Sequence, residues 1–323
     1  MKKVLVINTG GTIAMSMEDA SESVKPMDDL AVQKMLPHVN RYAEVTTINY
    51  LNLPSPHITP PIMNDLRVLI EDECAKHHYE GVVVTHGTDT LEETAFFLDL
   101  TLNLSIPVAV TGAMRSSNEL GADGPVNLIS AVRTVVEPQS ADKGVVVVFN
   151  DEIHAARHVT KTHTSNVATF QSPSYGPIGN VSKKEVSYHH YPLDREYYPI
   201  THANANVPLI KAVAGMNPEW LAFLLEQPID GVVIEGFGLG NLPPAILPTL
   251  KQLIDKGIPV VMVSRCYNGQ VQDVYGYEGG GHMLKQMGII FSNGLNGQKA
   301  RLKLMVALQQ AGKSSELQQF FNH

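Results

Sequence analysis

Cysteine is nearly absent. Two, Cys74 and Cys266, stand in 323 residues, too few for a disulfide framework, so a reducing compartment suits the chain better. A basic surplus is missing too: 24 Lys and Arg face 32 Asp and Glu, a formal charge of −8 at pH 7. Nucleic-acid binding needs a cationic face to neutralise phosphates, and no basic cluster stands out to supply one. No apolar stretch approaches the roughly 18 residues of a membrane-spanning helix. The opening "MKKVLVINTGG" imitates a signal peptide, but its apolar run stops at Asn8, too short for a signal core. The expectation is a soluble, cytoplasmic protein. Neither a G-x-G-x-x-G nor a Gly-Lys-Ser/Thr P-loop follows any candidate strand, so a phosphate cradle has no support. Fixed-period repeats and low-complexity tracts are absent as well.

What is present is ordinary globular material, 44% hydrophobic and 17% charged, without a disordered excess. The length exceeds what single cores usually reach, so two domains are expected. Continuous apolar runs, many β-branched, recur at 4–7, 82–84, 108–110, 145–149, 232–234 and 260–263. They do not alternate polar with apolar, which is how strands buried on both faces of a parallel sheet read. Helical patterns lie between them. Leu91, Ala95, Leu98 and Leu102 make one stripe, with Thr90 and Glu93 spaced as a capping box at its start. Further helices are expected at 125–136 and 244–256. This is an alternating α/β pattern. It breaks in a Tyr-, His- and Asn-rich stretch, "SYHHYPLDREYYPITHANANVP". The resulting division is an N-terminal α/β domain at 1–185, a linker at 186–208 and a C-terminal α/β domain at 209–323.

Ligands of open α/β sheets bind beyond the carboxyl ends of the strands. The polar loops there read "NTGGTIAM" from Asn8, "THGTDT" from Thr85, "TGAMRSSNELGADGP" from Thr111, "NDEIHAARHVTKTHTS" from Asn150 and "EGFGLGN" from Glu235. Each alone has a plain reading. Gly10 and Gly11 suit a tight turn, Thr12 suits a helix cap, and Lys161 suits a solvated surface. His154 and His158 have i, i+4 spacing, with His163 nearby, but no H-E-x-x-H frame accompanies them and their neighbours are poor helix formers. Together the loops say more. Threonines follow glycines at two strand ends, Gly11-Thr12 and Gly87-Thr88; Asp89 follows the second and Lys161 lies on a third loop. A threonine hydroxyl is a weak nucleophile until a base takes its proton, and a lysine amine can be that base when burial depresses its pKa. The helix beginning near Thr90 adds backbone N–H donors and a positive dipole end, which suit a carboxylate or a developing oxyanion. The pattern points to hydroxyl-based acyl transfer on a small anionic or zwitterionic substrate, without a metal.

These residues resemble a known family. "NTGGTIA" at 8–14, "THGTDTLEETA" at 85–95, "GADGPVNL" at 121–128, "NVATF" at 166–170 and "NGQKARL" at 296–302 are similar to the bacterial-type L-asparaginases, over nearly the whole chain. The lack of a secretion signal resembles cytoplasmic, type I-like members. The resemblance implies a flavodoxin-like N-terminal domain with a parallel sheet, a smaller α/β C-terminal domain, and hydrolysis of L-asparagine to L-aspartate and ammonia with weak or no glutaminase activity. It implies Thr12 as the acyl-forming nucleophile, with Thr88, Asp89 and Lys161 as the group that moves protons and serves the attacking water. Substrate would lie against Gly11, Gly87, Ser55 at its α-carboxylate and Asp89 at its α-ammonium. Asn241 would come from a neighbouring subunit of a homotetramer built from intimate dimers, with Glu278 the nearest match to a second such residue. No cofactor, metal, nucleic acid or membrane is implied. Three departures stand out. Many secreted members carry a tyrosine on the loop after the first threonine, whereas "MSMEDASESVKPM" has none and the next is Tyr42. The glutamine that often follows the binding serine is Pro56. The family's cross-subunit glutamate has no other match than Glu278. Two other functions remain open at this point: a tRNA-dependent amidotransferase subunit, and a non-catalytic amino-acid sensor.

Overall fold

β-Branched runs set the frame. The structure, a computed structural model, describes residues 1–17, 24–26, 35, 37–191, 195–311 and 314–322. The described chain divides into two compact units, Met1–Tyr197 and Tyr198–His323. The first contains β1 (Lys3–Gly10), a ribbon of β2 (Met15–Met17) and β3 (Val24–Pro26), then β4 (Glu44–Leu53), β5 (Gly81–Thr85), β6 (Val108–Thr111), β7 (Val145–Phe149) and β8 (Glu152–Ala155). A second ribbon, β9 (Thr160–Lys161) with β10 (Phe170–Gln171), precedes β11 (Gly179–Val181) and β12 (Val186–Tyr188). Its α-helices include α1 (Pro60–Lys76), α2 (Leu91–Thr101) and α3 (Gly124–Val136).

Eight of these strands form one sheet in the order β12-β11-β8-β7-β6-β5-β1-β4. From β4 to β7 all neighbours are parallel. Counted among themselves, those five strands run 2-1-3-4-5, the flavodoxin-like order, so the expected fold class is found. The sheet is longer than the expected parallel one, because β8, β11 and β12 continue it antiparallel. The continuous valine runs are explained by two covered faces. On one, Val4, Val6, Val83, Ala109, Val146 and Val148 pack with Leu128, Ala131, Val132 and Val135 of α3. On the other, Leu5, Ile7, Val82, Val84, Val108 and Val145 pack with Leu66 and Ile70 of α1 and with Leu91, Ala95 and Leu98 of α2. Burying each such side chain contributes about 1.5–3 kcal/mol.

The second unit holds a four-stranded parallel sheet, β13 (Leu209–Lys211), β14 (Val232–Gly236), β15 (Val260–Ser264) and β16 (Ile290–Phe291), in chain order. Its helices are α4 (Glu219–Ala222), α5 (Leu247–Asp255), α6 (Gly281–Met287) and α7 (Gly297–Ala307). The helix expected at 244–256 begins instead as a 3-10 turn, Pro244–Ile246, and becomes α-helical only at Leu247. Val232, Ile234, Val260 and Met262 meet Leu250 and Leu253 in its core. Asn296 caps α7 by accepting from Lys299 N at 3.1 Å. No described helix is long and apolar enough to cross a membrane.

Candidate functional site

The ends of β1 and β5 are neighbours, with Asn8 opposite Thr85. Their side chains tie the two turns. Asn8 Oδ1 accepts from Thr85 Oγ1 at 2.9 Å and from Gly10 N at 3.1 Å, and Thr9 Oγ1 donates to Thr85 O at 2.9 Å. Gly11 has φ +82°, and a Cβ there would lie 2.3 Å from Gly87 Cα. A Cβ on Gly87 would in turn lie 2.8 Å from Ser55 Oγ. Loops from β1, β4 and β5 therefore stack backbone to backbone, an approach only glycine permits. Thr12 directly follows that contact and opens a 3-10 turn, Thr12–Ala14, half-buried. Ile13 anchors the turn from below: it is 1% exposed, and a Cβ on Gly124 would come within 2.9 Å of its Cγ1.

Lys161 reaches the same place from β9. Its Nζ donates to Thr88 Oγ1 at 2.9 Å and to Asp89 Oδ1 at 2.7 Å. The Thr88 side chain is buried, whereas the Asp89 carboxylate is largely open to solvent. Ser55 is 4% exposed, and its Oγ accepts from Asp89 N at 3.1 Å. Asp89 thus offers a charged oxygen outward while its backbone is fixed from behind. The expected capping box is not formed. Thr90 is the N-cap of α2, but its side chain makes no cap bond. Its Oγ1 donates instead to Ser55 O at 2.8 Å, because the Ser55 turn, arriving from β4, brings an acceptor within reach.

Two residues outside the expected set also hold these loops. His86 is fully buried; its Nδ1 lies 2.8 Å from Gly87 O and its Nε2 2.9 Å from Thr94 Oγ1. A carbonyl only accepts, so Nδ1 carries the proton and Nε2 accepts from Thr94. Burial lowers the His86 pKa to about 4, a fall partly opposed by the Gly87 bond, so the ring is neutral near neutrality. Glu92, buried in the first turn of α2, accepts from Thr160 Oγ1 at 3.0 Å and from Lys161 N at 3.3 Å. The signal for both was adjacency to Thr88 and Asp89, but sequence gave no sign that either was buried.

Gly11, Thr12, Ser55, Gly87, Thr88 and Asp89 belong to loops gathered beyond β1, β4 and β5, in the first unit, and Lys161 joins Thr88 and Asp89 from β9. Asn241 and Glu278 belong to the second unit. Asn241 Oδ1 accepts from Gly281 N at 3.2 Å, and Glu278 is exposed. Most of the loop noted for lacking a tyrosine, at 18–23 and 27, lies outside the described residues. The three histidines go separate ways. His154 Nδ1 meets Ser172 Oγ at 3.1 Å, the His158 ring lies 4.0 Å from that of Tyr175, and His163 Nδ1 accepts from Ser165 N and Asn166 N. Among the described residues no three His, Cys, Asp or Glu side chains converge as a metal site requires.

Comparison with known proteins matches both units. The family described as Asparaginase, N-terminal covers residues 3–194, and that described as Glutaminase/Asparaginase C-terminal domain covers 206–321. A probable L-asparaginase of Deinococcus radiodurans is 40% identical over 99% of this chain and 97% of its own length. A glutaminase-asparaginase of Acinetobacter glutaminasificans is 32% identical over 98% of each. The crystal structure of a probable cytoplasmic L-asparaginase from Campylobacter jejuni superposes with a TM-score of 0.89, 32% identical, over 99% of both chains.

Proposed function

The chain belongs to the asparaginase family, and from that premise we propose that it hydrolyses L-asparagine to L-aspartate and ammonia through an acyl ester on Thr12. The observation that carries this reading is the Lys161 ammonium bonded to both Thr88 Oγ1 and Asp89 Oδ1, beside the contact of Gly11 with Gly87. Ser55 Oγ already accepts from Asp89 N, so its own proton is available to the substrate α-carboxylate. The outward Asp89 carboxylate takes the α-ammonium. These two anchors direct the side-chain amide toward Thr12. Thr12 Oγ1 attacks the amide carbon, the C–N bond breaks, and the hydroxyl proton leaves on ammonia. Water then attacks the ester, its hydroxyl stays on aspartate and its proton restores Thr12. The Thr88 hydroxyl, accepting from Lys161, has its own proton free to orient groups in both steps. A lysine in this position relays protons, rather than only neutralising Asp89.

The same geometry favours asparagine over glutamine. With the α-groups held at Ser55 and Asp89, one more methylene displaces the amide from Thr12, and misplacement by about 1 Å can cost about a hundredfold. Asn241 reaches the site of a neighbouring subunit in a homotetramer of intimate dimers, with Glu278 as a weaker companion. Two free cysteines, one of them exposed, suit work in the reducing cytoplasm. The test is ammonia release by purified protein with either amide and no tRNA. Turnover with asparagine and far less with glutamine is expected. Dependence on tRNA would instead indicate an amidotransferase subunit, binding without turnover would indicate a sensor, and equal kcat/KM values would remove the selectivity.

A further inference from the structure

Lys161 sits in an unusual mechanical position. The strand that carries it, β9, is two residues long and pairs only with β10, outside the eight-stranded sheet. The groups it serves, Thr88 and Asp89, are attached to that sheet through β5 and lead into α2. The sheet therefore fixes one partner and not the other. Glu92 spans the gap. It lies three residues after Asp89, in the first turn of α2, where the positive end of the helix favours a carboxylate. Its Oε1 accepts from Thr160 Oγ1 at 3.0 Å and from Lys161 N at 3.3 Å, the only two residues of β9. Glu92 is 5% exposed. A carboxylate so buried is costly unless hydrogen-bonded, so the bonds to β9 hold it as much as it holds them. Thr88, Asp89 and Glu92 thus stand on one turn, and Glu92 ties the backbone of Lys161 to it, beside the lysine's own Nζ bonds to Thr88 and Asp89.

We propose that Glu92 is a positioning residue for the hydrolysis: it sets the height of Lys161 Nζ over Thr88 Oγ1 by clamping the backbone of β9 to the start of α2. The inference rests on the reading of Lys161 as the proton relay. The Asp89 backbone is held by Ser55 rather than by the clamp, so loss of the clamp is expected to fall mainly on kcat. Glu92→Leu removes the acceptor for Thr160 Oγ1 and Lys161 N, Thr160→Val removes the first of these bonds, and Glu92→Gln keeps an acceptor oxygen.

The experiment is steady-state ammonia release from asparagine by wild type and the three variants, with circular dichroism to confirm folding. Kcat is expected to fall by about a hundredfold in Glu92→Leu, the scale of a misplacement of about 1 Å. A loss of about fivefold to tenfold is expected in Thr160→Val, with most of kcat retained in Glu92→Gln and KM within about twofold throughout. Should Glu92→Leu fail to fold, Thr160→Val decides. A Thr160→Val enzyme with wild-type kcat, or a Glu92→Leu enzyme whose KM alone changes, would overturn the proposal. Failure of the underlying reading is distinguishable, since Lys161→Met would then keep wild-type kcat at saturating asparagine.

Discussion

Both units are built around parallel strands covered by helices, yet their strand ends differ. In the first unit the turns after β1 and β5 bond across to one another through Asn8, Thr9 and Thr85, and Lys161 crosses from a third loop to Thr88 and Asp89. Thr88 and Ser55 are inside, 7% and 4% exposed, while the Asp89 carboxylate opens to solvent. In the second unit the loop after β14 closes on itself, Phe237 N bonding Asn241 O at 2.9 Å, with the Arg265 guanidinium over the Phe237 ring. The segment after β15 faces outward, with Tyr267 67% and Tyr277 55% exposed. A sheet provides the place for a site; chemistry needs side chains from several loops that meet. In this chain they meet in the first unit.

The largest break in that contrast is expected at the two threonines. Thr12→Ala and Thr88→Val should each lower asparagine turnover by at least about a thousandfold, about 4 kcal/mol of barrier, with native circular dichroism. Retention of a tenth of wild-type turnover by either would remove that hydroxyl from the mechanism. Lys161→Met should follow, losing kcat by about a hundredfold while substrate still binds; normal kcat at saturation with weakened binding would reduce the lysine to an anchor.

His86 tests the scaffold beneath the first unit's loops. Its pKa is about 4 when folded, below the ordinary 6.5, so between those values the unfolded chain binds the extra proton. Its contribution is complete above pH 6.5 and is lost as pH falls through 4, by roughly 3 kcal/mol in all. Urea unfolding of wild type and His86→Gln from pH 7 to 4 should show the wild type losing more stability; parallel curves would contradict the assignment. The smallest effect belongs to the second unit. Asn241→Ala should reduce kcat/KM by about tenfold through binding alone, and kinetics run alongside light scattering would show whether activity also falls as oligomers separate.

Much of this contrast was legible in the residues. The valine runs announced the buried strands, and the paired Gly-Thr turns with Asp89 and Lys161 announced a cluster that the fold brings together. Strand β4 was not announced. "EVTTINYLNL" is half polar because β4 lies at the sheet edge, where none of its residues is fully buried. Strands β8, β11 and β12 are three or four residues long, too short for a periodic signal. Thr90 and Glu93 carried the capping spacing, but a hydroxyl goes to the nearest acceptor, and Ser55 O comes from a turn 35 residues away. Glu92 escaped for the same reason, its partners lying 68 and 69 residues away in the chain.

The most direct test of the central claim is covalent. Wild type and Thr88→Val, acid-quenched during reaction with excess asparagine and digested, should yield an aspartyl ester on the peptide carrying Thr12 by mass spectrometry. An ester found on the peptide carrying Thr88, or wild-type turnover with no ester at any quench time, would contradict the account.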